Sequence, residues 1–346
     1  MKTIVMTGAT SFLGRNLVKT FIKKGYEVFA LVRKNSASIH LLPEENERFH
    51  LMYGSLENLT CIEDYIKEAN YFVHFAWDGS GNAGRANYEI QSKNVWYSME
   101  ALKIADRLGC ESFWFPGSQA EYGVKHEPIS EEMECHPVSE YGKSKLKFGN
   151  MAEEFCRDKK IRFIHLRIFS IYGADDRPGT LVDTCVRKFN SGETVQLGNC
   201  TQKWNYLYID DFTDMISRMM EIKHRIQFGC DTDELADKVL SGEKTATSSL
   251  YDYSLMNQEE IKVNEYASIL DSQGKEKCIV KIERIEIVDF QDITEEFAVN
   301  EGDGCLDNWI KIHTEYYSSL LEKIDKKLTG RTKLVCEWFS VVSSNN

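Results

Sequence analysis

Apolar positions along the first third of the chain come in short runs separated by helical stretches. "TIVM" (3–6) has the pattern of a short buried strand. "RNLVKTFIKKG" (15–25) repeats apolar residues at helical spacing, and "YEVFALVR" (26–33) is the next strand. "YFVHFAW" (71–77) and "SFWFPGS" (112–118) are further buried strands, each ending in small or polar residues. Strands alternating with helices predict an α/β fold with a doubly wound parallel sheet. From Phe228 the pattern changes. Thr232 or Asp231 is expected to cap a helix that places Leu235, Ala236, Val239 and Leu240 on one side and stops at Ser241–Gly242. "YASILDSQGKEKCIVKIERIEIVDF" (266–290) alternates as strands about a "DSQGK" turn. Two helical stretches around a glycine-rich turn (294–324) and a last strand, "TKLVCEWFSVV" (332–342), complete a small α+β domain built on a barrel. The change of pattern divides the chain into residues 1–222 and 223–346, with "KHRIQ" (223–227) read as linker.

Composition narrows the classes. The chain of 346 residues is 42% hydrophobic and 12% aromatic, enough for packed cores rather than disorder. No apolar run is long enough for a membrane span, and the N-terminus opens a strand rather than a secretory signal. Ten cysteines are scattered, with no CxxC pair and no Cys/His cluster, so reduced thiols, no metal site and a cytoplasmic setting are expected. The net charge of −12 is uneven: residues 223–346 hold 15 Lys+Arg against 24 Asp+Glu, the first 222 hold 27 against 30. A second part at −9 lacks the overall basic field of a general nucleic-acid binder.

Two constellations in the first part carry chemistry. "TGATSFLG" (Thr7 to Gly14) lies between a strand and a helix, where a helix N-terminus meets a pyrophosphate. Ser118 is followed by Tyr141 and Lys145 in "SEYGKSK", and the four-residue spacing puts phenol and ammonium on one helix face. An ammonium beside a phenol favours phenolate, so Lys145 is expected to draw Tyr141 toward the working range of a general acid/base.

These residues, with "HFAW" (74–77), Asn94 in "QSKNVWYSMEAL", "GSQAEYG" (117–123), "LRIFSIYG" (166–173) and "WNYLYIDDF" (204–212), resemble the extended short-chain dehydrogenase/reductases, the NAD-dependent epimerase/dehydratase family, over residues 1–222. The resemblance implies a Rossmann-type sheet and a nucleotide-sugar substrate. Tyr141 would shuttle a proton at a sugar hydroxyl or carbonyl, Lys145 would hold the nicotinamide ribose, and Ser118 would hydrogen-bond the reacting oxygen. Thr7, Gly8, Ser11, Phe12, Leu13, Gly14, Arg33, Ser55, Leu56, Phe75, Ala76 and Asn94 would join Tyr141 and Lys145 in binding the cofactor. Ser11 stands where the family's middle glycine usually is, Ser55 replaces an acidic residue, and Ile168 replaces a common proline. Arg33 and Lys34 end the second strand in place of a ribose-gripping acid, so NADP is favoured over NAD. Epimerase and 4-keto reductase both remain open. Dehydration ranks lowest, since Gln119, Glu121 and Glu140 form no convincing acidic pair near Tyr141. The substrate lobe that follows "YIDDF" in such proteins is cut short. Relatives often pair through a four-helix bundle, and the helices near 95–107 and 141–158 suited to a homodimer are present.

The second part resembles the ASCH family of PUA-like barrels over residues 227–342, through "SGEKTATSSL" (241–250), "EEFAVNEGDG" (295–304) and "LVCEWFSVV" (334–342). That family is associated with RNA binding or cleavage and with hydrolysis of the acetyl amide of N4-acetylcytidine. Lys244, Thr247 and Glu301 are the residues carried over: a hydroxyl nucleophile, a desolvated amine to take its proton, and a carboxylate to orient them. Trp309 and His313 lie four apart on one helix face; His313 is expected in the core or on the surface rather than at the border of a pocket. An RNA or a modified nucleoside is the partner this part implies, with the first part then reduced to binding cofactor.

Overall fold

A computed structural model describes residues 1–201, 203–252 and 261–344. Two compact units divide the chain, Met1–Ser217 and Arg218–Asn346.

The first unit is built on six strands, β1 (Thr3–Thr7), β2 (Glu27–Val32), β3 (Phe49–Tyr53), β4 (Tyr71–His74), β5 (Ser112–Ser118) and β6 (Arg162–Ile168). They pair in the order β3-β2-β1-β4-β5-β6, every pair parallel. The runs read as strands have the burial a covered parallel sheet requires: Val5, Val28, Phe72 and Phe113 are inaccessible to solvent. Helices α1 (Phe12–Lys23), α2 (Ile62–Tyr65), α3 (Asn82–Arg85), α4 (Tyr88–Arg107) and α5 (Glu140–Cys156) connect the strands. Ala101 and Leu102 of α4 and Phe148 and Ala152 of α5 pack on Phe72, Phe113 and Phe115. Each such aliphatic or aromatic side chain contributes about 1.5–3 kcal/mol of burial. Strand order reverses between β1 and β4, which opens a crevice outside their carboxyl ends.

Past β6 the unit is thin. β7 (Ser170–Tyr172) pairs in parallel with β8 (Tyr206–Tyr208), with α6 (Leu181–Asn190) between them in sequence and α7 (Ile209–Glu221) after. No residue of α6 is buried, and Leu181, Val186 and Phe189 stand exposed. α6 is thus an amphipathic helix with Val182 and Cys185 half-buried and much of its apolar face exposed among the described residues.

In the second unit, β9 (Ile222–Gln227), α8 (Thr232–Ser241), β10 (Ala246–Leu250), β11 (Tyr266–Leu270), β12 (Glu276–Asp289), α9 (Glu295–Asn300), α10 (Leu306–Glu322) and β13 (Lys333–Ser344) follow in order. The strands form one mixed, curled sheet, β10-β13-β12-β11-β9. Residues 223–227 are therefore not linker. They pair in parallel with β11, Ile226 packs into the core under α8, and His224 Nε2 lies 2.7 Å from Glu265. One face of the sheet packs on Ala236 and Val239 of α8, the other on Phe297 of α9 and Trp309, Tyr317 and Leu321 of α10. Asp231 occupies the N-cap position of α8 at φ +43° without a side-chain cap bond; Thr232 instead donates to the Phe228 carbonyl at 2.8 Å. Gly242, at φ +81°, closes the helix as its sequence suggested.

Candidate functional sites

The first site forms where β1 turns into α1. Gly8 has φ +74°, and a Cβ there would lie 2.4 Å from the Phe75 carbonyl carbon, so only glycine lets the turn reach β4. Ser11 is the N-cap of α1, its hydroxyl accepting from Gly14 N–H at 3.0 Å. Gly14 packs against the Gly8 carbonyl, where a Cβ would sit at 2.1 Å. Thr7 ties the two strand ends together: its hydroxyl accepts from Ala76 N–H at 3.2 Å and lies 2.9 Å from His74 Nδ1. His74 is held neutral by burial, its pKa pushed down to about 3.

A crevice of about 1740 Å³ runs from this turn to α5. Thr7, Gly8, Ser11, Phe12, Leu13, Arg33, Ser55, Leu56, Phe75, Ala76, Ser118, Tyr141 and Lys145 all line it, so the geometry gathers thirteen of the candidates along one wall-to-wall groove. Gly14 and Asn94 do not line it. Gly14 shapes the turn. Asn94 braces the loop after β4, accepting from Asp78 N–H at 3.0 Å and donating to the Asp78 carbonyl at 2.8 Å.

Ser118 ends β5, and Tyr141 and Lys145 project from successive turns of α5. Lys145 is buried, and its ammonium donates to the Pro116 carbonyl at 2.7 Å between the Trp77 and Phe115 rings, 3.8 and 4.4 Å from their centroids. Burial lowers its pKa well below the usual lysine range, and no carboxylate within ion-pair distance offsets this among the described residues. The expected acidification of Tyr141 by Lys145 is not what this arrangement produces. Burial pushes the phenol up from its ordinary value; Arg85, a hydrogen bond with Ser118 and Arg177 pull against it, and Glu121 adds to the rise. The ammonium is engaged elsewhere, 5.7 Å from the phenol ring centroid.

Sequence reasoning passed over three groups here. Arg85 lies over the Tyr141 ring at 4.2 Å, Trp77 meets that ring edge-on at 6.2 Å, and Arg177 lines the same crevice. Trp77 ends the "HFAW" motif but was given no role, while Arg85 and Arg177 lie in segments with no periodicity and no motif, and only nearness in the fold reveals them. Glu121 is buried behind Ser118, accepting from Ser118 N–H at 2.7 Å and facing His165 at 3.2 Å. Glu140 instead pairs with Lys143 at 2.7 Å.

In the second unit, Lys244, Thr247 and Glu301 do come together. Lys244 Nζ donates to the Glu301 carbonyl at 2.8 Å and lies 3.6 Å from its carboxylate. Thr247 Oγ1 donates to Glu301 Oε1 at 3.4 Å. Glu301 also accepts from Ser248 N–H at 2.7 Å, from Ser248 Oγ at 2.9 Å and from Trp309 Nε1 at 2.6 Å. Burial alone would raise this carboxyl; Lys244, His313 and Trp309 outweigh it and bring it down to about 2. Trp309 is buried in the core. His313 is more than a core residue, stacking on Trp309 at 4.2 Å with Nε2 3.7 Å from Glu301. Ser248 and Tyr317, 2.7 Å apart through their hydroxyls, were not foreseen; Tyr317 continues the helical spacing of Trp309 and His313. Glu301, Asp303 and His313 place ligand atoms within 4.8 Å of one another, a grouping that the search for Cys/His spacing in the sequence did not pick out. Lys244 already supplies a cation to this carboxylate.

Comparison with known proteins places both units. Residues 4–228 match the NAD dependent epimerase/dehydratase family, and residues 224–343 match the ASCH domain. The chain belongs to the NAD dependent epimerase/dehydratase family and carries an ASCH domain after it. Over 64% of its length it is 25% identical to CDP-abequose synthase of Salmonella muenchen, covering 70% of that protein. It is 26% identical to dTDP-6-deoxy-L-talose 4-dehydrogenase (NAD(+)) of Aggregatibacter actinomycetemcomitans, covering 79% of it. In fold, 64% of the chain superposes on 74% of UDP-glucose 4-epimerase from Thermotoga maritima, with a TM-score of 0.57 at 24% identity. The UDP-N-acetylglucosamine 4-epimerase from Methanobrevibacter ruminantium gives 0.58 at 20%. No described helix is long and apolar enough to cross a membrane.

Proposed function

We propose that residues 1–222 form a nucleotide-sugar 4-keto reductase or epimerase, with NADP its favoured dinucleotide, joined to a second domain at 223–346. The observation that carries this reading is the convergence of Ser118, Tyr141 and Lys145 at one end of the crevice that begins at the Gly8 turn. The residues suit a dinucleotide: the turn has no room for a side chain at Gly8, α1 presents its N-terminus, and Arg33 stands exposed at the end of β2 without an acidic neighbour in the position that grips a ribose. Bound there, the nicotinamide supplies the acceptance and return of a hydride.

The chain's own residues do the rest. Tyr141, hydrogen-bonded with Ser118, takes or gives the proton at the sugar oxygen. Glu121 holds the Ser118 backbone N–H, and the Ser118 hydroxyl, which accepts from Ala120 N–H, would hydrogen-bond the reacting oxygen. Lys145 would hold the nicotinamide ribose. The match to a CDP-sugar synthase and a dTDP-sugar dehydrogenase supports a nucleoside-diphosphate sugar as substrate. The same reading carries a homodimer through α4 and α5, on which Trp96 and Met151 stand exposed.

A panel of nucleotide sugars incubated with the protein and each cofactor, followed by mass spectrometry and chromatography of isomers, tests this. The expected result is a product two mass units heavier from a 4-keto sugar, or an isomer of equal mass. Tyr141→Phe lowers the rate by about 10²–10⁴-fold. No conversion of any nucleotide sugar, alongside tight NADPH binding, would leave only a cofactor-binding unit.

A second reading rests on the contact of Thr247 with Glu301 beside a buried lysine. In it the second unit hydrolyses an acylated nucleoside amide: Thr247 attacks the acyl carbon, Lys244 passes the hydroxyl proton to the leaving amine as the C–N bond breaks, and water then hydrolyses the acyl-threonine ester to free acid and restored Thr247. Release of cytidine and acetate from N4-acetylcytidine, abolished in Lys244→Ala, is the outcome that supports it. A net charge of −9 on this part favours a small nucleoside over a long RNA.

A further inference from the structure

The segment between β4 and α4 is braced from within and delivers an arginine to the end of the crevice that holds Tyr141. Gln91 of α4 is wholly buried, and its amide spans the loop: Nε2 donates to the Gly79 carbonyl at 3.1 Å and to the Gly84 carbonyl at 2.9 Å. Its oxygen accepts from the Trp77 indole N–H at 2.8 Å. Gly84 packs so closely on Gly79 that a Cβ would lie 2.4 Å from the Gly79 Cα. One side chain therefore fixes both Trp77 and α3, whose last residue is Arg85.

Arg85 lines the crevice with its guanidinium 4.2 Å from the centroid of the Tyr141 ring. Asp78, Asp175 and Asp176 line the crevice as well, but among the described residues no carboxylate lies within ion-pair distance of that guanidinium. Glu121, behind Ser118, is taken up by Ser118 N–H and His165. A fixed cation that faces a crevice and has no partner in the protein suits an anion on the ligand. Three anions come into question. The diphosphate of the dinucleotide belongs at the N-terminus of α1, beside the Gly8 turn, and so at the other end of the crevice. The diphosphate of a nucleotide sugar hangs from C1, across the ring from C4, and points away from the phenol when the C4 oxygen is at Tyr141. What remains is the carbon beside the reacting one, C5, whose substituent C6 is a methyl, a hydroxymethyl or a carboxylate.

We propose that Arg85 is a specificity-determining residue of this site and that its substrate is a nucleotide uronate, a nucleoside-diphosphate sugar whose C6 is a carboxylate. The inference rests on the reading of Tyr141 and Ser118 as the pair that holds the reacting sugar oxygen, and it adds the class of sugar. The planar fork of a guanidinium matches both oxygens of a carboxylate through two charge-assisted hydrogen bonds. A hydroxymethyl group offers one neutral oxygen and a methyl none, so either leaves the fork unfilled. The sugar is then pinned at adjacent carbons, by Tyr141 and Ser118 at the C4 oxygen and by Arg85 at C6. Because Gln91 and the two glycines already hold the loop, little ordering remains to be done when the ligand arrives.

The test is a calorimetric binding titration of the full chain loaded with NADPH, a reduced cofactor that cannot accept a hydride from a 4-hydroxy sugar. Two ligands that differ only at C6 are compared, UDP-glucuronate and UDP-glucose. The ratio of their affinities is the readout, so the contribution of the nucleoside cancels. The unmutated chain binds the uronate at least about tenfold more tightly. Arg85→Gln brings the ratio to about one, and Arg85→Lys, which has the charge without the fork, keeps about threefold. Arg177, exposed on the stretch between β7 and α6, lines the same crevice, and Arg177→Gln leaves the ratio in place. Melting temperatures of the variants establish that each is folded. A ratio near one in the unmutated chain, a ratio that survives Arg85→Gln, or one that is lost in Arg177→Gln instead overturns the proposal. Equal binding of the two ligands sinks this inference alone, whereas binding of neither sinks the nucleotide-sugar reading together with it.

Discussion

Each unit buries one lysine at its candidate site, and the two are buried in opposite ways. Lys244 is locked to Glu301, with Ser248 and Trp309 completing the shell around the carboxylate. Lys145 has only a carbonyl and aromatic faces. The first is a closed pair, whose charges are satisfied without any ligand. The second is an open one, a donor in a large crevice with capacity left for what binds there. Removing one partner of a buried pair is costly because it leaves the other charge uncompensated, whereas a buried amine with no partner, in a crevice, marks a candidate site.

The largest effect expected from this difference is on stability. Lys244→Met strands the Glu301 carboxylate and should destabilise the second unit by about 3–5 kcal/mol. Lys145→Met replaces an amine that burial already disfavours and should leave the first unit's stability unchanged or slightly raised. Hydrogen exchange followed peptide by peptide in the full chain separates the two units. Equal losses from both substitutions would erase the distinction.

The second unit also holds a carboxyl of the reverse kind. Glu337, on β13 opposite Thr247 of β10, is buried, and burial alone raises its pKa from 4.5 to about 7. A raised carboxyl pKa means the fold favours the protonated form. Its contribution is full below about pH 4.5 and declines as pH rises toward 7, by at most about 3 kcal/mol. Glu301 has the opposite sign: its stabilisation is present above 4.5 and lost as pH falls toward about 2. Glu337→Gln should therefore stabilise the second unit at pH 8 by up to about 3 kcal/mol and do little at pH 5. Urea titrations at the two pH values check this. A gain of equal size at both would show that Glu337 does not titrate in the fold.

What the sequence made legible follows from where the information lay. β1, β2, β4 and β5 were readable because they are mostly buried apolar runs; β3, with an exposed Tyr53, and β6, whose seven residues are all only partly buried, were not read as strands. Tyr141 and Lys145 were readable because helix geometry alone brings residues four apart together. Arg85 was not, since its place over Tyr141 depends on Gln91 and on two glycines in a loop with no period. The shell of Glu301 was half readable: "GEKTAT" and "NEG" mark two of its segments, but Ser248 and Tyr317 join only through the sheet and α10. β9 was missed because six residues at a change of pattern offer little alternation, and its partner β11 lies some forty residues on in sequence.

Smaller effects sharpen the comparison at the ligand level. If the open crevice selects its dinucleotide through Arg33, Arg33→Ala should weaken NADP binding about tenfold and NAD binding little, the two measured by fluorescence titration. Equal losses for both cofactors would mean that Arg33 meets something other than a 2′-phosphate.

The least of the expected effects lies in how the two units begin the helix beside each site. α1 starts at Ser11, whose hydroxyl accepts from Gly14 N–H and satisfies one of the four unpaired amides of a helix end. The site thus keeps a cap where a glycine would supply only backbone freedom. α8 starts at Asp231 with φ +43° and no side-chain cap bond, so its backbone carries left-handed strain without the usual return. Ser11→Ala should therefore cost the first unit about 1 kcal/mol, and Ser11→Gly only a few tenths. Asp231→Gly should stabilise the second unit by up to about 1 kcal/mol, the relief of strain exceeding the entropy glycine adds to the unfolded chain. Opposite signs at the two N-cap positions, read in one exchange experiment, follow only if Ser11 caps its helix and Asp231 does not. A loss in Asp231→Gly would show that its carboxylate stabilises the α8 terminus through the helix dipole instead.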